Sequence, residues 1–208
     1  MGNAPTVQVA KEEVMREAAQ KTLTDPDNPS NPPVTFESLY KDSPGPVVVK
    51  FFRRFGCVLC REGAAETMKL KPLLDEKYGK GVVNWIGIGL EKLGYDEFKE
   101  GNYFPGKIYL DESHELYTTA GFNKIGMMGI VSRFVTEGTI SLAKEAEKKG
   151  FHGDLKGNKT QLGGWMIVSP KGELLFYYQQ KAFGDEPAKE EVLKAIEDYF
   201  AVANKEKN

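Results

Sequence analysis

Cys57 and Cys60 are the two cysteines of this 208-residue chain, and only Val58 and Leu59 separate them. Three chemistries suit such a pair: a redox dithiol, half of a metal site, or plain apolar packing. A structural zinc site takes four ligands at close spacing. Here there is no second CxxC, and His114 and His152 lie far in sequence from the cysteines and from each other. Packing is the stronger competitor, because free cysteine is often buried and Val58 and Leu59 are apolar. The redox reading ranks first: in a chain with no mark of export, a close CxxC near a strand-helix junction is the pattern of a thiol oxidoreductase.

If the pair opens a helix, Cys57 and Cys60 are i, i+3 neighbours on one face and their sulfurs can form a disulfide. The helix N-terminus offers Cys57 unpaired backbone N–H groups and the positive end of the dipole. Arg53, Arg54 and Arg61 are candidates for additional thiolate stabilisation. Cys57 is then the attacking thiolate, and Cys60, a turn into the helix and farther from solvent, resolves the intermediate.

The elements that must position this pair follow from pattern. PVVVKFF (46–52) reads as a buried strand and 61–78 as a helix that Pro72 can kink. VVNWIGIGL (82–90) is a second strand, followed by a short helix at 94–100, a strand at 107–110 and a helix in DESHELYTTAGF with Asp111 and Ser113 as cap candidates. A helix at 139–149, the strands 165–168 and 173–178 around the turn SPKG, and a closing helix at 187–203 complete the chain. This order predicts an α/β, thioredoxin-like domain: a central mixed sheet flanked by helices, over 34–208. Residues 1–33 read as an N-terminal extension, an amphipathic helix near 7–22 followed by the linker TDPDNPSNPP (24–33) with its four prolines.

Lys and Arg number 28 against 30 Asp and Glu, so no electrostatic argument favours nucleic acid or an acidic membrane. No stretch approaches the roughly 18 apolar residues of a membrane span, and a reducing cytoplasmic setting is expected. Gly87 and Gly89 give GxG without a third glycine, so no bound nucleotide or other cofactor is expected.

RRFGCVLCR (53–61), GIGLEKLG (87–94), GNYFPGKIYLDESHELY (101–117), LGG (162–164) and KAFGD (181–185) together resemble the prostamide/prostaglandin F synthase family, a peroxiredoxin-like branch of the thioredoxin-like superfamily, over roughly residues 34 to 200. The resemblance implies a cytosolic enzyme that reduces the endoperoxide of prostaglandin H or its ethanolamide to the F form. It also implies NADPH as the ultimate electron donor and Cys57 and Cys60 as the catalytic residues. With no nucleotide loop present, a thioredoxin-type reductant is the expected intermediary. The peroxiredoxin Pro and Thr ahead of the reactive cysteine are replaced by Lys50 and Arg54. Met1–Thr6 matches M-G-x-x-x-[ST], which makes Gly2 a myristoylation candidate. The alternative reading is a thioredoxin-fold scaffold, docked to a membrane or cytoskeletal partner through residues 1–33.

Overall fold

The computed structural model describes residues 7–122, 124, 137–154 and 156–205, with the side chains of 7–10 and 137–138 outside that description. Strands β3 (Val47–Phe51), β4 (Asn84–Gly89), β5 (Lys107–Leu110), β6 (Gly164–Val168) and β7 (Leu174–Gln179) form one sheet in the order β5-β4-β3-β6-β7. β3, β4 and β5 run parallel, whereas β6 is antiparallel to β3 and β7 to β6. The sheet is therefore mixed, as the order of elements predicts. Outside it, β1 (Thr22–Leu23) pairs with β2 (Val34–Thr35).

Every residue of β3 is buried, as a central strand covered on both faces requires. Val47, Val49 and Phe51 join one core with Leu116 and Tyr117 of α5 (Glu115–Thr119) and Met15 and Ala18 of α1 (Val7–Ala19). Val48 faces the other core, shared with α2 (Val58–Met68), α3 (Leu70–Tyr78), α4 (Tyr95–Glu100) and the closing α7 (Lys189–Lys205). Between β5 and β6, α6 (Glu137–Lys148) packs against α2.

The helix expected over 61–78 is two helices. Pro72 has no N–H for the Met68 carbonyl, and the chain breaks at Lys69, whose N–H turns back to the carbonyls of Glu66 and Thr67. In α5, His114 occupies the cap position with φ 61°. The buried Asp111 instead accepts the Tyr117 N–H at 2.9 Å, and Ser113 Oγ accepts that of Glu115 at 3.3 Å. The expected hairpin is present: Gly172, at φ 84°, closes the turn from β6 into β7.

The proline-rich segment lies along the domain. Thr24 and Leu110 exchange backbone hydrogen bonds at 2.9 Å, Asp25 pairs with Lys107 at 2.8 Å and Asp27 with Lys99 at 2.7 Å. Burial alone would raise the Asp25 carboxyl. The Lys107 ammonium, the Asn28 amide and the Asp27 N–H together hold it at about 2. No helix among the described residues is long and apolar enough to cross a membrane.

Lys50, on β3, is 2% exposed. Its ammonium reaches Glu186 Oε2 at 2.6 Å and lies 4.3 Å from the centroid of the Trp165 ring, while Trp165 Nε1 donates to the same oxygen at 2.6 Å. Gln180 Nε2 donates to the other Glu186 oxygen at 3.2 Å. This pair ties β3 and β6 to the loop 180–187. A buried cation that loses its partner costs more than the pair was worth. Glu186→Gln should therefore lower stability by about 3 kcal/mol, and Lys50→Met in the same chain should restore much of it. Chemical denaturation of both variants checks this, and equal stability of Glu186→Gln and the wild type contradicts it.

Candidate active site

Beyond Phe51 the chain leaves the sheet in a loop whose aromatic residues turn inward. Phe52 and Phe55 pack with Phe98, and Phe52 also meets Phe104. Room for them comes from β4: a Cβ at Gly87 would sit 2.7 Å from the Phe52 ring, and one at Gly89 would overlap the Phe55 ring. The GxG pattern is thus a packing device. With the two phenylalanines fixed, the intervening Arg53 and Arg54 and the following Cys57 are held against the third core, which contains Cys57, Leu59, Cys60, Ala146, Leu162 and Phe183.

Cys57 takes the N-cap position of α2 with extended backbone (φ −81°, ψ 124°), and Cys60 lies one turn on. Both thiols are free and buried, at 5% and 7% exposure. The two cysteines are buried to nearly the same extent, because residues 153–154 and Phe183 cover the helix start as well. Asp154 N–H donates to the Gly56 carbonyl at 2.6 Å, and a Cβ at Gly153 would lie 2.6 Å from Val58 N, so only glycine permits this crossing. What separates the cysteines is access. Cys57, and not Cys60, lines a cavity of about 310 Å³ walled by Arg53, Arg54, Leu59, Ala143, Asp154 and Phe183, among others.

The electrostatics separate them further. The hydrogen bond from the Cys60 thiol holds the Cys57 thiol well below the usual range; burial opposes this, and the Arg53 charge, the Cys60 backbone N–H and the Arg54 charge add to it. Cys60 moves the opposite way, because it donates that hydrogen bond, is buried and stands beside a developing thiolate. Arg53 Nη2 donates to Cys57 Sγ at 2.7 Å, and its guanidinium stacks 4.4 Å from the Phe183 ring centroid.

Of the three arginines singled out by proximity in sequence, Arg53 alone bonds the cysteine, and Arg54 acts on it through its charge. Arg54 lines the cavity and bonds the Lys156 carbonyl at 2.7 Å. Arg61 projects elsewhere: it donates to the carbonyls of Phe55 at 2.9 Å and His152 at 2.7 Å and pairs with Glu97 at 3.1 Å, binding the loop, the 152–154 crossing and α4 together. Gly2 lies outside the described residues. Among the described residues no group of three or more His, Cys, Asp or Glu is placed to hold a metal. Phe183, Ala143 and Asp154 escape a reading by motif spacing, since they arrive from 86 to 126 positions beyond Cys57; the family-like KAFGD stretch is the one sequence signal for Phe183.

The chain matches the model of the AhpC/TSA antioxidant enzyme family over residues 68–182, a stretch that begins after both cysteines. It is 39% identical to the human prostamide/prostaglandin F synthase over 150 residues, covering 72% of this chain and 74% of that one. The Salmo salar prostamide/prostaglandin F synthase is 37% identical over 165 residues, 79% and 80% of the two chains. Among solved structures, the Xanthomonas campestris bacterioferritin comigratory protein superposes with a TM-score of 0.56 at 13% identity, covering 88% of this chain and 94% of that one. Peroxidoxin BcpB from Mycobacterium tuberculosis gives 0.53 at 16%, covering 87% and 92%. These two likenesses establish a peroxiredoxin-like fold.

The electrostatics set the pH at which Cys57 becomes nucleophilic. Iodoacetamide alkylation of Cys57 should reach half its plateau rate below the ordinary thiol value of about 8.5. Cys60→Ala, which removes the largest stabilising contact, should shift that midpoint upward more than Arg53→Gln does. Midpoints near the ordinary value in all three proteins contradict the assignment.

Proposed function

Because the chain belongs to the prostamide/prostaglandin F synthase family of peroxiredoxin-like thiol oxidoreductases, we propose that it reduces the endoperoxide of prostaglandin H or of its ethanolamide, or a related lipid peroxide, with Cys57 and Cys60 as the redox pair. The observation that carries this reading is the cavity. Of the two cysteines it opens on Cys57 alone, on a wall where Arg53 pairs with the sulfur, Leu59, Ala143 and Phe183 give apolar surface, and Arg54, Glu147 and Asp154 bring charge.

In this reading Cys57 Sγ, as thiolate, bonds one oxygen of the endoperoxide as the O–O bond breaks. The bonding pair passes to the second oxygen, an alkoxide that takes a proton from water. Cys60 then gives up its proton and attacks Cys57 Sγ, forming the disulfide and expelling the first oxygen, which is protonated in turn. Two thiols become one disulfide and one O–O bond becomes two hydroxyls, so the step balances without a bound cofactor. The raised Cys60 thiol suits this order, since it stays protonated while Cys57 attacks.

The disulfide must be reduced for another cycle. A thioredoxin-type dithiol is the matching donor, and NADPH enters through that donor's own reductase. NADPH oxidation should therefore require a thioredoxin system in addition to this protein and substrate. Oxidation by the protein and substrate alone contradicts this route.

Cys57→Ser should abolish turnover. Cys60→Ser should permit one attack and then stop with substrate oxygen on Cys57, because no second thiol is within reach. Steady-state rates with prostaglandin H, combined with the intact mass of Cys60→Ser after one equivalent, test both. Full activity in both variants contradicts the dithiol mechanism.

A further inference from the structure

The Cys57 cavity has a neighbour. A second cavity of about 220 Å³ lies along α2, with apolar walls from Leu59, Leu70, Leu142, Trp165, Pro187 and Val192. Three stretches of chain run from one cavity into the other. On α2, Leu59 lines both; on α6, Ala143 lines the first and Leu142 the second; in the loop before α7, Phe183 lines the first and Gly184 the second. The two spaces are therefore adjacent parts of one furrow, and Leu59 stands where they meet.

The polar groups around the second cavity are already engaged. Glu62 pairs with Lys149, Glu66 with Lys189 at 2.6 Å and Glu186 with Lys50, while Trp165 Nε1 donates to Glu186 and the Thr67 hydroxyl to the Gly63 carbonyl. A cation or a hydrogen-bonding ligand would compete with these contacts, whereas an aliphatic chain needs none of them and gains by leaving water. Leu142, on the open side, is 45% exposed, and a chain seated there would cover it. Size points the same way. At about 220 Å³ the second cavity alone is smaller than the roughly 300 Å³ at which small-molecule sites begin, and joined to the Cys57 cavity of about 310 Å³ it falls inside their range. We infer that the second cavity is the chain subsite of a lipid peroxide: it takes the aliphatic tail while the O–O bond lies at Cys57, and Leu59 and Leu142 set a preference for long chains. The inference rests on the thiol reductase reading above.

Primary alkyl hydroperoxides test this subsite, because lengthening the chain leaves the O–O bond chemically unchanged. Each is reduced to its alcohol and water as the two thiols become a disulfide. Second-order rates of thiol oxidation are measured on the reduced full-length protein with butyl, hexyl and octyl hydroperoxide, each divided by the rate with glutathione to remove intrinsic reactivity. The octyl compound should react at least about tenfold faster than the butyl one, since full burial of one methylene is worth about a fourfold gain. Leu142→Glu puts a carboxylate at the open side of the second cavity, in an exposed helix position that accepts it. It should cut the octyl-to-butyl ratio to about threefold or less. Ile140→Glu makes the same change on the same helix, at an exposed residue that lines neither cavity, and should keep the wild-type ratio. A wild-type ratio near one, an undiminished ratio in Leu142→Glu, or an equal fall in Ile140→Glu would overturn the chain subsite. Wild-type thiols that none of the three hydroperoxides oxidises would instead overturn the reductase reading beneath it.

Discussion

A guanidinium buried against a buried sulfur is the contact on which the rest of the site depends. Arg53 is 4% exposed and Cys57 5%, and neither environment suits a lone charge. Together they form an ion pair with a 2.7 Å hydrogen bond, in which the cation meets an anion once Cys57 loses its proton. Much of the surrounding structure keeps Arg53 from turning away. Phe52 and Phe55 anchor the loop in the opposite core, Gly89 makes the room they need, and Phe183 stacks on the guanidinium. The Lys50–Glu186 pair in turn fixes the loop that carries Phe183.

This arrangement gives two chemically identical side chains different work. Cys57 gains a low thiol pKa from Cys60, Arg53 and Arg54, and it alone lines the cavity. Cys60 is the hydrogen-bond donor to its partner and is held protonated by that role. The N-cap geometry makes the difference possible: Cys57 has extended backbone outside the first turn, whereas Cys60 is inside it, one turn along the same face.

The frame of this site was legible in the sequence because it rests on short-range pattern. A β-branched run before CxxC, the SPKG turn and the helical stretches each reflect local periodicity, and the mixed sheet follows from their order. The walls of the site were not legible, since they are long-range. Phe183, Asp154 and Ala143 come to line the Cys57 cavity through the path of the chain, which no spacing rule encodes. Arg61 shows the converse. One residue past Cys60, it looks like part of the charge around the thiolate, yet the turn of the helix aims it at the Phe55 and His152 carbonyls. TDPDNPSNPP carries the composition of a linker, and its aspartates also find Lys99 and Lys107, a pairing that depends on where β5 and α4 come to lie.

If Cys57 and Cys60 are the redox pair proposed above, reduction of an O–O bond consumes both thiols and no other group. Titrating the reduced wild-type protein anaerobically with prostaglandin H, while counting free thiols and mapping peptides, tests it most directly. Two thiols should be lost per equivalent of substrate reduced, with a Cys57–Cys60 disulfide as the protein product. Substrate reduced with both thiols intact, or with one thiol lost to a stable adduct in the wild type, would contradict it.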